Sequence, residues 1–494
     1  MKEKYDPELV AKARTNTIIG KRNVNGVIEF KGIPFAEPPV GRNRWKPAQP
    51  LPESNEVLEA YEYRAAPVQP PLMSADFPTS EDCLYLNIWT KSLKQKNKPV
   101  LVWVYGGSYV SGSGSDKLYS GESLVAEQPD ILLVTFNYRL GVFGSLNLSM
   151  IDPKDEFKYS CNLSILDTQA ALRWIHENIE AFGGDPDNIT LFGQSAGSNN
   201  ITANLQCPNS RRYFKRFIGQ SSFAFDMGLT PLENSLKVAE QFFTAVGTQD
   251  LELLLALPAN KLLEAQMKFY SSAAMSIDTK LFSPVLDGLT LHEGEIDRIA
   301  KGSAAGISCI IGTNSGEYDM AYRELDDVSI LARITAENKE KLAMFPGFID
   351  KVIANDPDRP LKEACLDIKN DLDMRVAGLV ILEALSEHSD TYSYYFNWRD
   401  PAMRDTRTPH GAEVAILFAH EHKQVPQDMA RAMRLMWTNF ARWGDPSTSF
   451  APDWSQYKVP ARHTLVIDEK PDIVCGIRTK DIEILYPIVK RRGT

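Results

Sequence analysis

In the stretch 188-NITLFGQSAGSNN-200 a β-forming run ends at Phe192, and one serine, Ser195, follows between Gly193 and Gly197. A strand ending at Phe192 and a helix starting after Ser195 have to be joined in very few residues. The two glycines remove the side chains that would collide in so sharp a turn, and Ser195 is left at its tip. This is the G-x-S-x-G nucleophile elbow, in which a strained backbone holds a hydroxyl out above the carboxyl end of a sheet. With Gly and Ser each near ~7% of residues, a chain of this length holds roughly 0.2 such pentapeptides by chance. The flanking elements therefore have to carry the reading, against the bland alternative of a helix-capping serine in a turn.

Those elements agree with an elbow. The runs 99-PVLVWVY-105 and 131-ILLVTFNY-138 are near-continuous apolar segments of the kind buried on both faces of a parallel sheet, and 164-SILDTQAALRWIHENI-179 reads as a helix. Upstream, 22-RNVNGVIEFKGIPFA-36 sets Asn25-Gly26 between β-formers, a type I′ hairpin signal. Small antiparallel strands are thus expected to lead into the main sheet. Downstream, 230-TPLE-233 predicts a capping box with Pro231 at the first helical position, opening an amphipathic helix that ends at Gly247. Strand-like and helix-like segments alternate along the rest of the chain. The expected fold class is α/β: a large, mostly parallel central sheet with helices on both faces, in a single domain spanning 1–494. Helical patterns dominate at about 230–280 and 320–390, and these excursions are expected to wall a pocket.

Composition excludes several functions. With 494 residues and 43% hydrophobic content the chain can bury a large core. Its formal net charge of −10 carries no basic cluster, so no nucleic-acid partner and no membrane-surface role are expected. The first residues, MKEKYDPELVAKARTNTIIG, lack an apolar signal core, and no apolar run is long enough to span a bilayer. The six cysteines are far apart, without CxxC spacing or a Cys/His cluster. No metal site and no cofactor are expected, and scattered thiols fit a reducing, cytoplasmic setting.

A serine hydroxyl is a weak nucleophile at neutral pH. It needs a base within hydrogen-bond reach, a carboxylate to orient that base, and donors for the oxyanion. The glycine-rich run 105-YGGSYVSGSGS-115 after an apolar strand suits the donors, but seven histidines and many carboxylates leave the base and acid open. A resemblance resolves them. From about residue 16 to 487 the chain is similar to the type B carboxylesterases, the α/β-hydrolase family that includes the cholinesterases. The matching words, in the family's order, are 30-FKGIPFAEPPVG-41, 81-EDCLYLNIW-89, 137-NYRLGVFG-144, 182-FGGDPDNITLFGQSAG-197, 284-PVLDG-288, 312-GTNSGE-317, 410-HGAE-413 and 437-WTNFARWGDP-446. The resemblance implies Ser195 as nucleophile, Glu317 as acid and His410 as base, in the order Ser, Glu, His that this fold uses. It also implies the backbone N–H groups of Gly107, Ser108 and Ala196 as oxyanion donors. The implied activity is serine carboxylic-ester hydrolysis of a small-molecule ester. Amidase, thioesterase or lactonase chemistry would use the same residues, and a non-catalytic binding relative would have lost one of them.

Departures from the family pattern mark where this member differs. Ser108 stands where relatives commonly have a third glycine, and Gln194 stands where many carry a glutamate before the nucleophile. Cys83 lacks the upstream partner that secreted relatives have, since 65-AAPVQPP-71 holds no cysteine. The loop 70-PPLMSADFPTS-80 has no choline-binding tryptophan, so cholinesterase activity is not expected. Ser164 and Tyr318 also replace usual family glycines. Tyr109, Gln194, Phe223 and Phe225 are candidate pocket residues, and Ser221 resembles a serine beside the triad acid.

Overall fold

The computed structural model describes residues 5–71, 77–222, 229–272, 282–401, 407–418 and 426–490. The chain divides into two compact units, Met1–Lys215 with Gly228–His292, and Arg216–Met227 with Glu293–Thr494.

In the first unit the sheet strands run in the order Gly184–Gln194, Lys98–Val104, Leu132–Phe136, Tyr85–Thr90, Ile28–Pro34, Lys21–Arg22. Lys98–Val104 is parallel to both of its neighbours. Beyond Leu132–Phe136 every pairing is antiparallel. Leu132–Phe136 is buried at every position, which is why its sequence does not alternate. The Asn25-Gly26 hairpin exists with a different turn. Gly26 N–H donates to the Asn23 carbonyl at 3.0 Å, and the Asn23 side chain accepts from the N–H groups of Asn25 and Val27 at 3.0 Å each. In this turn only Gly26 has a positive φ, of 71°, whereas type I′ needs two such residues. The asparagine side chain supplies the turn that a second left-handed residue would have made.

The helix Ala196–Gln206 packs on the Gly184–Gln194 strand and on the Leu163–Asn178 helix. Arg139 of the NYRLG run ties this region together through a two-armed ion pair to Asp167, at 2.8 and 2.6 Å, with both side chains buried. The expected helix after 230 begins at Leu232 rather than at Pro231. Thr230 and Pro231 form a short parallel pairing with Val285–Leu286, so Thr230 N–H bonds the Pro284 carbonyl and no capping box forms. The helix ends at Gly247, φ 84°, as its sequence requires. Together with Ala259–Ser272 it closes a core around Trp45, Phe143, Phe157, Phe242, Phe269 and Phe282.

In the second unit the strands run Asp472–Cys475, His463–Ile467, Thr391–Phe396, Ser308–Asn314, Arg216–Gln220. All pairings are parallel except that of Asp472–Cys475. The almost wholly apolar helix Val376–Ser386 packs on Ser308–Asn314 and Thr391–Phe396, and it is covered in turn by Thr479–Lys490. Helices fill much of 327–386, within the stretch at about 320–390 where helical patterns dominate the sequence. All six cysteines are free; five are buried and Cys475 is exposed. Among the described residues no helix is long and apolar enough to cross a membrane, and no cluster of His, Cys, Asp and Glu could hold a metal.

Candidate active site

The first unit carries the Ser195 segment. The strand Gly184–Gln194 runs directly into the helix Ala196–Gln206, with Ser195 alone between them at φ 56°, ψ −126°. A non-glycine residue at positive φ is strained, and such residues gather at functional sites. The glycines explain how the chain reaches this geometry. A Cβ on Gly197 would lie 2.0 Å from the Val104 carbonyl oxygen and 2.5 Å from that of Tyr105; one on Gly193 would lie 2.7 Å from the Val104 oxygen. Both would strike backbone, which cannot move aside as a side chain can. Ser195 itself is 6% exposed.

The glycine-rich loop lies against this turn. A Cβ on Gly106 would approach Gln194 O to 2.7 Å and Ser195 Cβ to 3.2 Å, so only glycine there lets the two segments touch. Three successive residues then take positive φ, Gly107 at 110°, Ser108 at 56° and Tyr109 at 60°. Ser108 is exposed and Gln194 is buried. Ala196 opens its helix, so its N–H has no acceptor within the helix. Tyr109 is fixed from below. Its hydroxyl donates to Asn199 Oδ1 at 2.9 Å, and its ring meets Tyr138 edge-on at 6.2 Å. Tyr138 and Tyr105 stack at 4.4 Å, and each hydroxyl donates to the other's carbonyl oxygen. This aromatic platform beneath the loop was not visible in the sequence, where Tyr105 and Tyr138 read only as strand residues.

The second unit carries a carboxylate–imidazole pair. His410 Nδ1 lies 2.6 Å from Glu317 Oε2. The other oxygen of Glu317 accepts from Ser221 Oγ and from the backbone N–H of Asn314, each at 2.7 Å. The Glu317 side chain is 1% exposed while that of His410 keeps 32%, so the carboxylate is sealed and the imidazole remains accessible. Ser221, at φ 53°, directly follows the strand Arg216–Gln220, and Glu317 directly follows the strand Ser308–Asn314 and its short turn. Parallel neighbours therefore deliver both groups at the same end of the sheet.

Asn314 joins the acid segment to the histidine segment. Its Nδ2 donates to the Pro409 carbonyl at 2.7 Å and to Glu413 Oε2 at 2.6 Å. Glu413 of the HGAE word is fully buried and also accepts from Gln220 Nε2 at 3.1 Å. Burial, and then the charge of Glu317, raise the Glu413 pKa; the hydrogen bonds from Asn314 and Gln220 pull it down without cancelling the rise. For His410, burial lowers the pKa, but the hydrogen bond to Glu317 and the charges of Glu317 and Glu413 outweigh it, and the net shift is upward. Glu413 and Asn314 both sit in quoted motifs, yet only their place in the fold shows what they touch. Tyr318 has φ −113°, so glycine is not needed there. Ser164 Oγ is buried and finds no partner among the described residues, and nothing in the structure explains it. Phe223 and Phe225 lie outside the described residues.

A model of the carboxylesterase family matches residues 7–485. The para-nitrobenzyl esterase of Bacillus subtilis (strain 168) is 33% identical over 480 residues, covering 94% of this chain and 96% of that protein. Carboxylesterase 1C of Rattus norvegicus is 28% identical over 484 residues, covering 87% and 84%. Among solved structures, the Geobacillus stearothermophilus carboxylesterase at pH 6.2 superposes with a TM-score of 0.85 at 30% identity, covering 97% of this chain and all of that one. A PNB esterase gives 0.83 at 31% identity, with 97% and 100% covered. With a glycine-seated serine between strand and helix and a family match over nearly its whole length, the chain belongs to the carboxylesterase family, serine-type carboxylic-ester hydrolases built on the α/β-hydrolase fold.

Proposed function

We propose that Ser195, His410 and Glu317 form the catalytic triad, and that the N–H groups of Gly107, Ser108 and Ala196 receive the oxyanion. The observation that carries this reading is the backbone of Ser195, a strained residue wedged between two glycines that tolerate no side chain. His410 Nε2 takes the proton from Ser195 Oγ as that oxygen attacks the ester carbonyl carbon. The carbonyl oxygen becomes the oxyanion, and the Gly107, Ser108 and Ala196 donors neutralise it. Collapse of the tetrahedral centre breaks the bond to the alcohol oxygen, and His410 returns the proton to that leaving group. Water then repeats the cycle on the acyl-enzyme and releases the acid. Glu317 holds the imidazole tautomer and stabilises its cation. Each oxyanion donor is worth about 3 kcal/mol in the transition state.

The substrate class that fits is a small to medium carboxylic ester. Gln194 supports a neutral alcohol side, because a buried amide offers no negative field to a cationic leaving group. We assign the protein to a reducing compartment such as the cytoplasm, on the ground that all six thiols are free. The test is turnover of p-nitrophenyl esters of graded acyl length beside the matching amides and thioesters, with fluorophosphonate labelling. Ser195→Ala is expected to lower kcat by roughly 10⁵ to 10⁶ and to abolish labelling. Near-normal ester turnover by that variant removes Ser195 from the mechanism. Faster amide or thioester turnover than ester turnover moves the activity to those classes.

A further inference from the structure

Glu317 and His410 are not the only cross-link between their two segments. Two residues beyond Glu317 stands Asp319, and three before His410 stands Arg407. Arg407 Nε donates to Asp319 Oδ2 at 2.7 Å and Nη2 donates to Asp319 Oδ1 at 3.0 Å. The third arm, Nη1, donates to Asp367 Oδ1 at 2.5 Å. The three side chains keep only 12%, 6% and 6% of their surface exposed, so water neither screens nor competes for these bonds. A fork-on-fork guanidinium–carboxylate pair is planar and fixes orientation as well as distance.

The surroundings are shaped to admit this pair. A Cβ on Gly316 would lie 2.7 Å from Arg407 Cβ and 2.9 Å from Asp319 Oδ2, so the glycine before Glu317 is what lets Arg407 close onto the acid segment. Asp319 is held from its other side by Asn370, whose Nδ2 donates to Asp319 Oδ1 at 2.9 Å while its Oδ1 accepts from Tyr318 N–H at 2.9 Å. Asp367 and Asn370 lie on the helix Leu361–Asn370, a fixed base behind both segments. Asp367 is held there by Arg359 as well, at 3.0 Å.

We propose that Arg407, gripped by Asp319 and Asp367, is a positioning residue for the Glu317–His410 pair. This rests on reading Glu317 and His410 as the catalytic acid and base. The hydrogen bond at 317/410 alone would leave the imidazole free to swivel about it, and the neutral bonds from Asn314 to the Pro409 carbonyl and from Gly316 N–H to the Thr408 carbonyl hold the two segments together by single points. The charged fork at 319/407 adds a planar bridge on the same two segments and fixes the direction in which Nε2 points. Proton transfer is sensitive to that direction, whereas substrate binding is not.

The test uses the full-length protein and four variants, Arg407→Gln, Asp319→Asn, the double Arg407→Gln/Asp319→Asn, and Arg407→Lys. Turnover of p-nitrophenyl acetate is measured per active site titrated with a fluorophosphonate, so that loss of folded protein does not count as loss of rate. Arg407→Gln and Asp319→Asn are each expected to lower kcat by about 10- to 100-fold with KM little changed, the scale of a misplacement near 1 Å. The double variant is expected to be no slower than the slower single, because both remove one shared link. Arg407→Lys, which keeps the charge and loses the fork, is expected not to restore the rate. Wild-type kcat per titrated site in the neutral variants, single losses that multiply in the double, or full rescue by lysine each overturn the proposal. If a single variant does not fold, the double, which strands no charge between 319 and 407, is compared with wild type alone: a kcat lowered by about 10- to 100-fold is expected, and wild-type kcat per titrated site overturns the proposal. His410→Gln is run in parallel: near-normal turnover there overturns the acid–base reading itself, while a dead His410→Gln beside a fully active Arg407→Gln overturns only the positioning role.

Discussion

Oε2 of Glu317 lies 2.6 Å from Nδ1 of His410, and its Oε1 is occupied by the Ser221 hydroxyl and the Asn314 N–H. The carboxylate is thus pinned by one oxygen and presents the other to the imidazole. Glu317→Gln replaces the accepting oxygen with a group that can also donate, which turns the imidazole to the wrong tautomer. A loss of about 10⁴ in kcat is expected. Ser221→Ala removes one hydrogen bond to the same carboxylate and is expected to cost about tenfold. Steady-state kinetics on p-nitrophenyl acetate check both; a larger effect at Ser221 than at Glu317 would reverse the assigned roles.

The pKa of His410 is raised above its ordinary 6.5, burial opposing the rise and Glu317 and Glu413 causing it. A general base works in its neutral form, so kcat/KM should climb with pH through a midpoint above 6.5. Removing Glu317 leaves burial less opposed, so the midpoint in Glu317→Gln should fall below that of wild type. For stability the sign is the reverse. A histidine whose folded pKa is raised favours the folded state below its unfolded pKa, and that contribution is lost as pH rises through the folded value. The acid loss of activity should therefore not be driven by unfolding at this residue. A pH–rate profile with a midpoint at or below 6.5 contradicts the charge balance described.

A methyl group on Gly197 meets the Val104 carbonyl oxygen at 2.0 Å. Gly197→Ala should then either open the strand-to-helix turn or push the Lys98–Val104 strand aside, at a cost of about 3 kcal/mol or more. Thermal melting and fluorophosphonate labelling of the soluble fraction check this. A variant that melts and labels like wild type would show that the turn is not as tight as described.

Ser108 carries a side chain at φ 56°, in the region that L-residues occupy at a cost. Ser108→Gly should stabilise the fold by about 1 kcal/mol while keeping the N–H. If the exposed hydroxymethyl group crowds the acyl side, turnover of short acyl esters should stay near wild type and that of long acyl esters should rise; no change at any chain length rejects both crowding and donation. A uniform loss across chain lengths would instead mark the hydroxyl as a donor.

Much of the fold is legible locally. The runs 99–105 and 131–138 announce strands because burial on both faces removes alternation, and Gly247 ends its helix because its left-handed φ suits glycine. Two local signals were outcompeted. Asn25-Gly26 reads as a type I′ turn, but the Asn23 side chain captures two N–H groups and makes a different one. Thr230 reads as a helix cap, but a parallel pairing with Val285–Leu286 takes its backbone first. Tyr109 reads as a pocket aromatic, and what the sequence did not show is the bond from its hydroxyl to Asn199 beneath the loop.

The sequence alone determined the nucleophile elbow, because strand, serine, flanking glycines and helix are contiguous and their clash is a matter of adjacent backbone. Only the tertiary structure decided which groups surround Glu317 and His410. Glu317 meets His410 across 93 residues, Ser221 across 96, and Arg407 meets Asp319 across 88. No periodicity or spacing encodes such pairings; they exist because parallel strands end together and bring distant loops to one edge of the sheet.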